Sequence, residues 1–153
     1  MNSYVLGFAF DLTQNESQNS LNTQVALIRK LKPAWQADNL NGIGGSIEEF
    51  DGAANEGANR TGLNAMVREF REETGFQTEP AAWHQFHTMG AEDWQVQCYR
   101  AFSIPLHKLK TTTEEEVIVV RAYSLPQDVL FNLRWLIPLA LDPQPYPTMQ
   151  VYR

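Results

Sequence analysis

The sequence has few means of fastening itself covalently or to a membrane. It holds one cysteine, Cys98, so no disulfide can close within the chain and a reducing compartment is its natural setting. No apolar run approaches 18 residues, which excludes a transmembrane helix of ordinary length. The opening residues, Met1 to Gly7, put no basic segment ahead of a long apolar stretch, so no signal peptide is expected. Basic residues are also scarce. Against 18 Asp and Glu there are 12 Lys and Arg, a formal charge of −6, whereas a general nucleic-acid binder needs a basic face. The three histidines, His84, His87 and His107, form no metal-ligand constellation. Together these absences predict a cytoplasmic domain over residues 1–153, with no membrane and no polymeric nucleic acid among its partners; a homodimer is compatible with them. A 43% hydrophobic share is ordinary for a globular core.

Apolar runs at Tyr4–Leu12, Gln24–Lys30, Ala82–Gly90, Trp94–Ile104 and Val117–Leu125 predict strands, with a shorter one at Ser46–Phe50. Thr13–Thr23 and Lys108–Glu116 are polar and read as loops, as does Lys32–Gly45, whose last four positions hold three glycines. Backbone can approach a ligand closely over such a stretch. One helix is expected from an N-cap at Thr61 to about Thr74, and a second from an entry at Pro126 through Asn132–Ile137, kinked or shortened by Pro138. The tail from Asp142 carries three prolines and reads as extended. The expected architecture is a mixed sheet with two main helices.

The first helix carries the chemistry. Leu63, Met66, Val67 and Phe70 form an apolar side, and Glu69, Glu72 and Glu73, spaced i, i+3 and i+4, share another surface. Gly75 supplies the left-handed residue that commonly ends a helix. Charge runs are usually no more than solvated faces. Crowded carboxylates also suit a hard divalent ion, because Mg²⁺ takes oxygen ligands from carboxylates and substrate phosphates.

The run Arg68-Glu69-Phe70-Arg71-Glu72-Glu73-Thr74-Gly75-Phe76, preceded by Gly44-Gly45-Ser46-Ile47-Glu48, resembles the Nudix box, G-x5-E-x7-R-E-U-x-E-E-x-G-U with U apolar. Every fixed position of the second half matches. The first half departs: Gly45 and Arg68 stand 23 positions apart where the box expects 14, so nine residues are extra. The early box glutamate falls at Asp51 counted from Gly45 and at Arg60 counted back from Arg68, and either Asp51 or Glu56 can replace it.

The resemblance implies a Nudix-type α/β/α sandwich with a mixed central sheet, and hydrolysis of a nucleoside diphosphate linked to another group. It implies Mg²⁺, for which Mn²⁺ can substitute, held by Glu69, Glu72, Glu73 and the carbonyl of Gly45, with Glu69 on the ion that carries the attacking water. Arg68 is implied to fix a carboxylate rotamer; taken alone it reads as a surface ion pair worth about 0–1 kcal/mol. The family often draws another carboxylate from a late loop, where Glu114 and Glu115 stand; a solvated turn is the competing account. Glu48 reads more simply as an exposed strand end than as a ligand.

Asn41-Gly42-Ile43-Gly44-Gly45 is similar to the W-N-G-F-G-G run of the animal oxidised-purine nucleoside triphosphatases, with Leu40 in place of the tryptophan. There the asparagine reads the base, since an amide both donates and accepts. The Asn132–Pro138 segment resembles their last helix, but Asn132 matches the first of two base-facing aspartates only loosely and Leu133 replaces the second. Trp35, Trp94 and Trp135 can stack on a base, though aromatics more often serve the core. Arg29, Lys30 and Lys32 can hold outer phosphates or be plain exposed cations. The expected substrate is a nucleoside triphosphate. A nucleotide conjugate such as a nucleotide sugar, ADP-ribose or a dinucleotide is the alternative, and a nucleotide-binding regulator without activity the rival.

Overall fold

The computed structural model describes residues 1–12, 21–52 and 58–143, with the side chains of residues 58 and 59 left aside. Glu56, most of the polar loop after residue 12 and the tail beyond residue 143 lie outside these. The elements run β1 (Asn2–Phe10), β2 (Gln24–Arg29), β3 (Leu40–Asn41), β4 (Ile43–Ser46), α1 (Ala58–Thr74), β5 (Trp83–Gly90), β6 (Trp94–Ala101), β7 (Val117–Arg121) and α2 (Leu133–Leu141).

The five long apolar runs all contain strands. The region after Pro33 differs from the expected loop and strand. Leu40–Asn41 pairs with β2 and Ile43–Ser46 pairs with β1, while the expected strand at Ser46–Phe50 is instead a 3₁₀ turn at Glu49–Asp51. Gly44 suits β4 because a Cβ there would sit 2.0 Å from the Val5 carbonyl oxygen. Helix α1 begins at Ala58, so Thr61 lies inside it rather than capping it. The last helix begins at Leu133, with Asn132 as its N-cap, well after Pro126. Pro138 lies inside α2 without ending it. Leu136, Ile137, Ala140 and Leu141, on both sides of the proline, are buried against the sheet, and that packing outweighs one lost helical hydrogen bond.

The sheet order is β3-β2-β1-β6-β5, with β4 also on β1 and β7 also on β2. β1 and β6 are parallel and the other pairings antiparallel, which makes the sheet mixed. β1 divides one edge between two partners: Ala9 and Phe10 meet β2, whereas Tyr4 to Gly7 meet β4. This division brings the glycine-rich β4 beneath α1. Ala65, Met66 and Phe70 of α1 pack with Val5, Ala9 and Ile28 on one face. Leu133, Leu136 and Ile137 of α2 pack with Leu6, Phe8 and Phe10 on the other. The result is an α/β/α sandwich. No helix among the described residues is long and apolar enough to cross a membrane.

Candidate functional site

Phe70 and Met66 are fully buried, and their burial fixes the rotation of α1 about its axis. The three glutamates consequently differ in depth. Glu73, next to the apolar face, is 9% exposed. Glu69 is half-buried and Glu72 exposed. Gly75, at φ +72°, ends the helix in the left-handed region, with its N–H donating to the Arg71 carbonyl.

Arg68 is the hub. Its Nε and Nη2 donate to the two oxygens of Asp51 at 2.8 and 2.9 Å, a bidentate pair. Nη1 donates to Glu69 Oε1 at 2.8 Å and to Glu72 Oε2 at 3.2 Å, and Nη2 also reaches the Ser46 carbonyl at 2.9 Å. This exceeds an exposed surface ion pair, since the Asp51 side chain is only 3% exposed. Asp51, one of the two residues able to replace the early box glutamate, is thus paired with Arg68, while Glu56 lies outside the described residues.

The charges respond to this arrangement. Burial pushes the Asp51 carboxyl up, but hydrogen bonds from Arg68 and from the Glu48 N–H outweigh it and hold the group below the usual aspartate value. Burial raises Glu69, with Arg68 opposing. Burial pushes Glu73 up to about 8, reinforced by the nearby charge of Glu69 and offset in part by Lys30. Glu73 Oε2 is buried with no hydrogen-bond partner. A buried, unpartnered carboxylate oxygen beside a second carboxylate is a costly arrangement that a cation would relieve.

Gly45 supplies the opposing wall. A Cβ on it would lie 2.5 Å from Glu69 Oε1 and 2.6 Å from its Cδ, so bare backbone faces that carboxylate directly. Gly45→Ala is expected to leave the melting temperature nearly unchanged, because the Glu69 side chain can swing aside, while turnover falls roughly 10- to 100-fold through its displacement. A thermal melt beside a kinetic assay checks this; unaltered kinetics would count against a close fit of Gly45 to Glu69.

The late loop reaches the same place. Thr112 Oγ1 donates to the Glu72 carbonyl at 2.5 Å and Lys110 N to the Thr74 carbonyl at 3.0 Å, tying the loop to the end of α1. Glu115 then accepts from Lys30 Nζ at 2.9 Å and from Leu31 N at 2.6 Å. Burial raises Glu115, but the Leu31 N–H and the Lys30 ammonium prevail and lower it. Glu114 and Glu48 are exposed.

The remaining residues singled out from the sequence are more dispersed. Arg29 forms an ion pair with Asp128 at 2.8 Å and donates to the Asp38 carbonyl. Lys32 is exposed. Asn41 donates from Nδ2 to Gln36 at 3.1 Å and accepts from the Gly42 N–H at 2.8 Å. Asn132 spends its carbonyl on the first turn of α2. Trp135 packs on the core, edge-to-face with His87 at 5.5 Å, while Trp35 is 71% exposed. Two contributors gave no sequence signal: the Ser46 carbonyl and Phe50, whose ring lies 5.1 Å from the Arg68 guanidinium carbon. A shallow depression of about 290 Å³ where β1 ends, lined by Asp11, Gln24, Ser103 and Leu106, includes none of these carboxylates.

Among the described residues, no three Asp, Glu, His or Cys side chains already converge into a cage for an ion. This donor set fits Mg²⁺ all the same, because that ion is usually held by one or two carboxylates with substrate phosphates completing its shell.

The chain has the Nudix fold. It is similar to a MutT/Nudix family protein from Enterococcus faecalis, with a TM-score of 0.64 and 18% identity over 91% of this chain and 60% of that one. It is similar also to a Nudix hydrolase from Nitrosomonas europaea, with a TM-score of 0.66 and 16% identity over 98% of this chain and 78% of the other. A structure described as MutT from Aliivibrio salmonicida and Vibrio cholerae gives a TM-score of 0.58 and 16% identity, covering 92% and 96%. The chain spans 60% of the length of the Enterococcus protein and 62% of that of NrtR from Shewanella oneidensis. No family model and no curated protein matches the chain.

Proposed function

We propose that the chain is a Mg²⁺-dependent Nudix pyrophosphohydrolase that cleaves a nucleoside triphosphate to the monophosphate and pyrophosphate. The observation that carries this reading is the buried, unpartnered carboxyl oxygen of Glu73, near the charge of Glu69, whose own carboxylate faces the bare backbone of Gly45. Glu69, Glu72, Glu73 and the Gly45 carbonyl would hold the divalent ion, which when bound neutralises phosphate oxygens and acidifies a water. Arg68 keeps Glu69 and Glu72 in fixed rotamers. Glu115, close enough to affect the charge of Glu73, is better placed than the exposed Glu114 to accept a proton or join the ligand set. Lys30 sits between these acids and is the cation best placed to meet an outer phosphate.

One observation favours a nucleotide conjugate as the second reading. The Asn41 amide is engaged with Gln36 and Gly42, and Leu133 is fully buried, so two positions tied to purine reading are occupied otherwise. Incubation with nucleoside triphosphates, nucleotide sugars, ADP-ribose and dinucleotides in Mg²⁺, followed by phosphate and pyrophosphate release, decides between them. Turnover of a triphosphate with pyrophosphate release is expected. Binding of nucleotides without turnover of any would replace this reading with that of a regulator.

A further inference from the structure

Phe50 is a large apolar side chain 72% exposed to solvent, at a position where packing gives it no purpose. It joins neither apolar cluster of the core. Its ring instead lies over the guanidinium of Arg68, 5.1 Å from ring centroid to Cζ. The same 3₁₀ turn, Glu49–Asp51, thus offers Arg68 two different groups: the Asp51 carboxylate, bonded bidentately, and the Phe50 ring, over which the guanidinium carbon sits.

In-plane bonds limit sliding of a guanidinium, but they resist tilting out of the plane poorly. A ring packed beneath the guanidinium carbon opposes that motion, and its quadrupole attracts the cation. We propose that Phe50 is a positioning residue: it holds the Arg68 guanidinium flat, and through it the rotamers of Glu69 and Glu72. The proposal rests on the hydrolase reading for its kinetic consequences only, since the packing of ring on cation exists without substrate.

The test compares Phe50→Ala, Phe50→Leu and Phe50→Tyr. Loss of an exposed cation–π contact corresponds to roughly a two- to fivefold change, so kcat is expected to fall by about that factor in both the alanine and leucine variants, with KM unchanged, and to be kept by tyrosine. Stepwise fluorination of the ring at position 50, which drains its negative face at constant shape, is expected to lower kcat in proportion. Hydrogen exchange of the Arg68 Nε proton, followed by NMR without substrate, is expected to quicken along the same series. Leucine behaving like phenylalanine, or no trend with fluorination in exchange, would overturn the proposal. A raised KM at constant kcat would overturn it too, by making the ring a substrate contact. If no nucleotide is turned over while exchange follows the series, the hydrolase reading fails and the positioning role stands.

Discussion

Glu73→Gln is expected to lower turnover by about 10³-fold while leaving the folded protein more stable at alkaline pH than the parent. The two effects have one cause. Glu73 is buried with an unpartnered oxygen, and its carboxyl is pushed up to about 8 by burial and by Glu69. A group whose folded value lies above its ordinary 4.5 binds more protons in the native state than in the unfolded one between those limits. Stability is then greatest below about pH 4.5 and is lost as pH rises through 8. The parent's melting temperature should fall on going from about pH 5 to pH 8 in the absence of divalent ions, and the glutamine variant should flatten that fall. Adding Mg²⁺ at pH 8 should raise the melting temperature of the parent and barely move the variant, because metal binding displaces the proton from a ligating carboxyl. Differential scanning calorimetry with a pyrophosphate-release assay reads all three. A glutamine variant with full activity would remove Glu73 from the site.

Asp51→Asn is expected to cost about 2–4 kcal/mol of stability and to lower turnover roughly 10- to 100-fold. Removing one charge of a buried pair leaves its partner uncompensated, here Arg68, whose side chain is 14% exposed. The loss stays at the lower end because Glu69, Glu72 and the Ser46 carbonyl still accept from Arg68. The pH dependence has the opposite sign to that of Glu73. The Asp51 carboxyl is lowered in the folded state, so its contribution is present above its ordinary 3.8 and disappears as pH falls through the folded value. Parent and variant should therefore differ most near neutrality and converge in strong acid, as urea titrations at several pH values would show. Equal stability of the two at pH 7 would contradict this account of Arg68.

Helix α1 was legible because several local signals agree over one stretch: an apolar side at Met66 and Phe70, carboxylates on another, and a terminating glycine at Gly75. The long strands were legible for the same reason. The second helix was misplaced at its start because proline at position 126 favours a helix entry and a turn about equally, and only the packing of Leu133 against the sheet decides between them. The glycine-rich segment was read as loop because small residues weaken any strand signal; its pairing with Val5 and Leu6 is a nonlocal fact. At the site, the glutamates and Arg68 share one helix and so lie close in sequence. Asp51, Ser46 and Glu115 come to them from 17 and 22 residues before Arg68 and from 84 residues beyond Leu31, distances over which spacing carries little information.

The bond between Asp51 and Arg68 spans the stretch that departs from the box, and it makes the length of that stretch a matter of small energetic weight. With both ends anchored by the ion pair and the core-facing side of α1, lengthening the connection between Gly52 and Ala58 costs only closure entropy, about 0.6 kcal/mol for each doubling. That connection is accordingly a natural grafting position, where a reporter peptide or a recognition tag could be spliced in without disturbing the acidic helix.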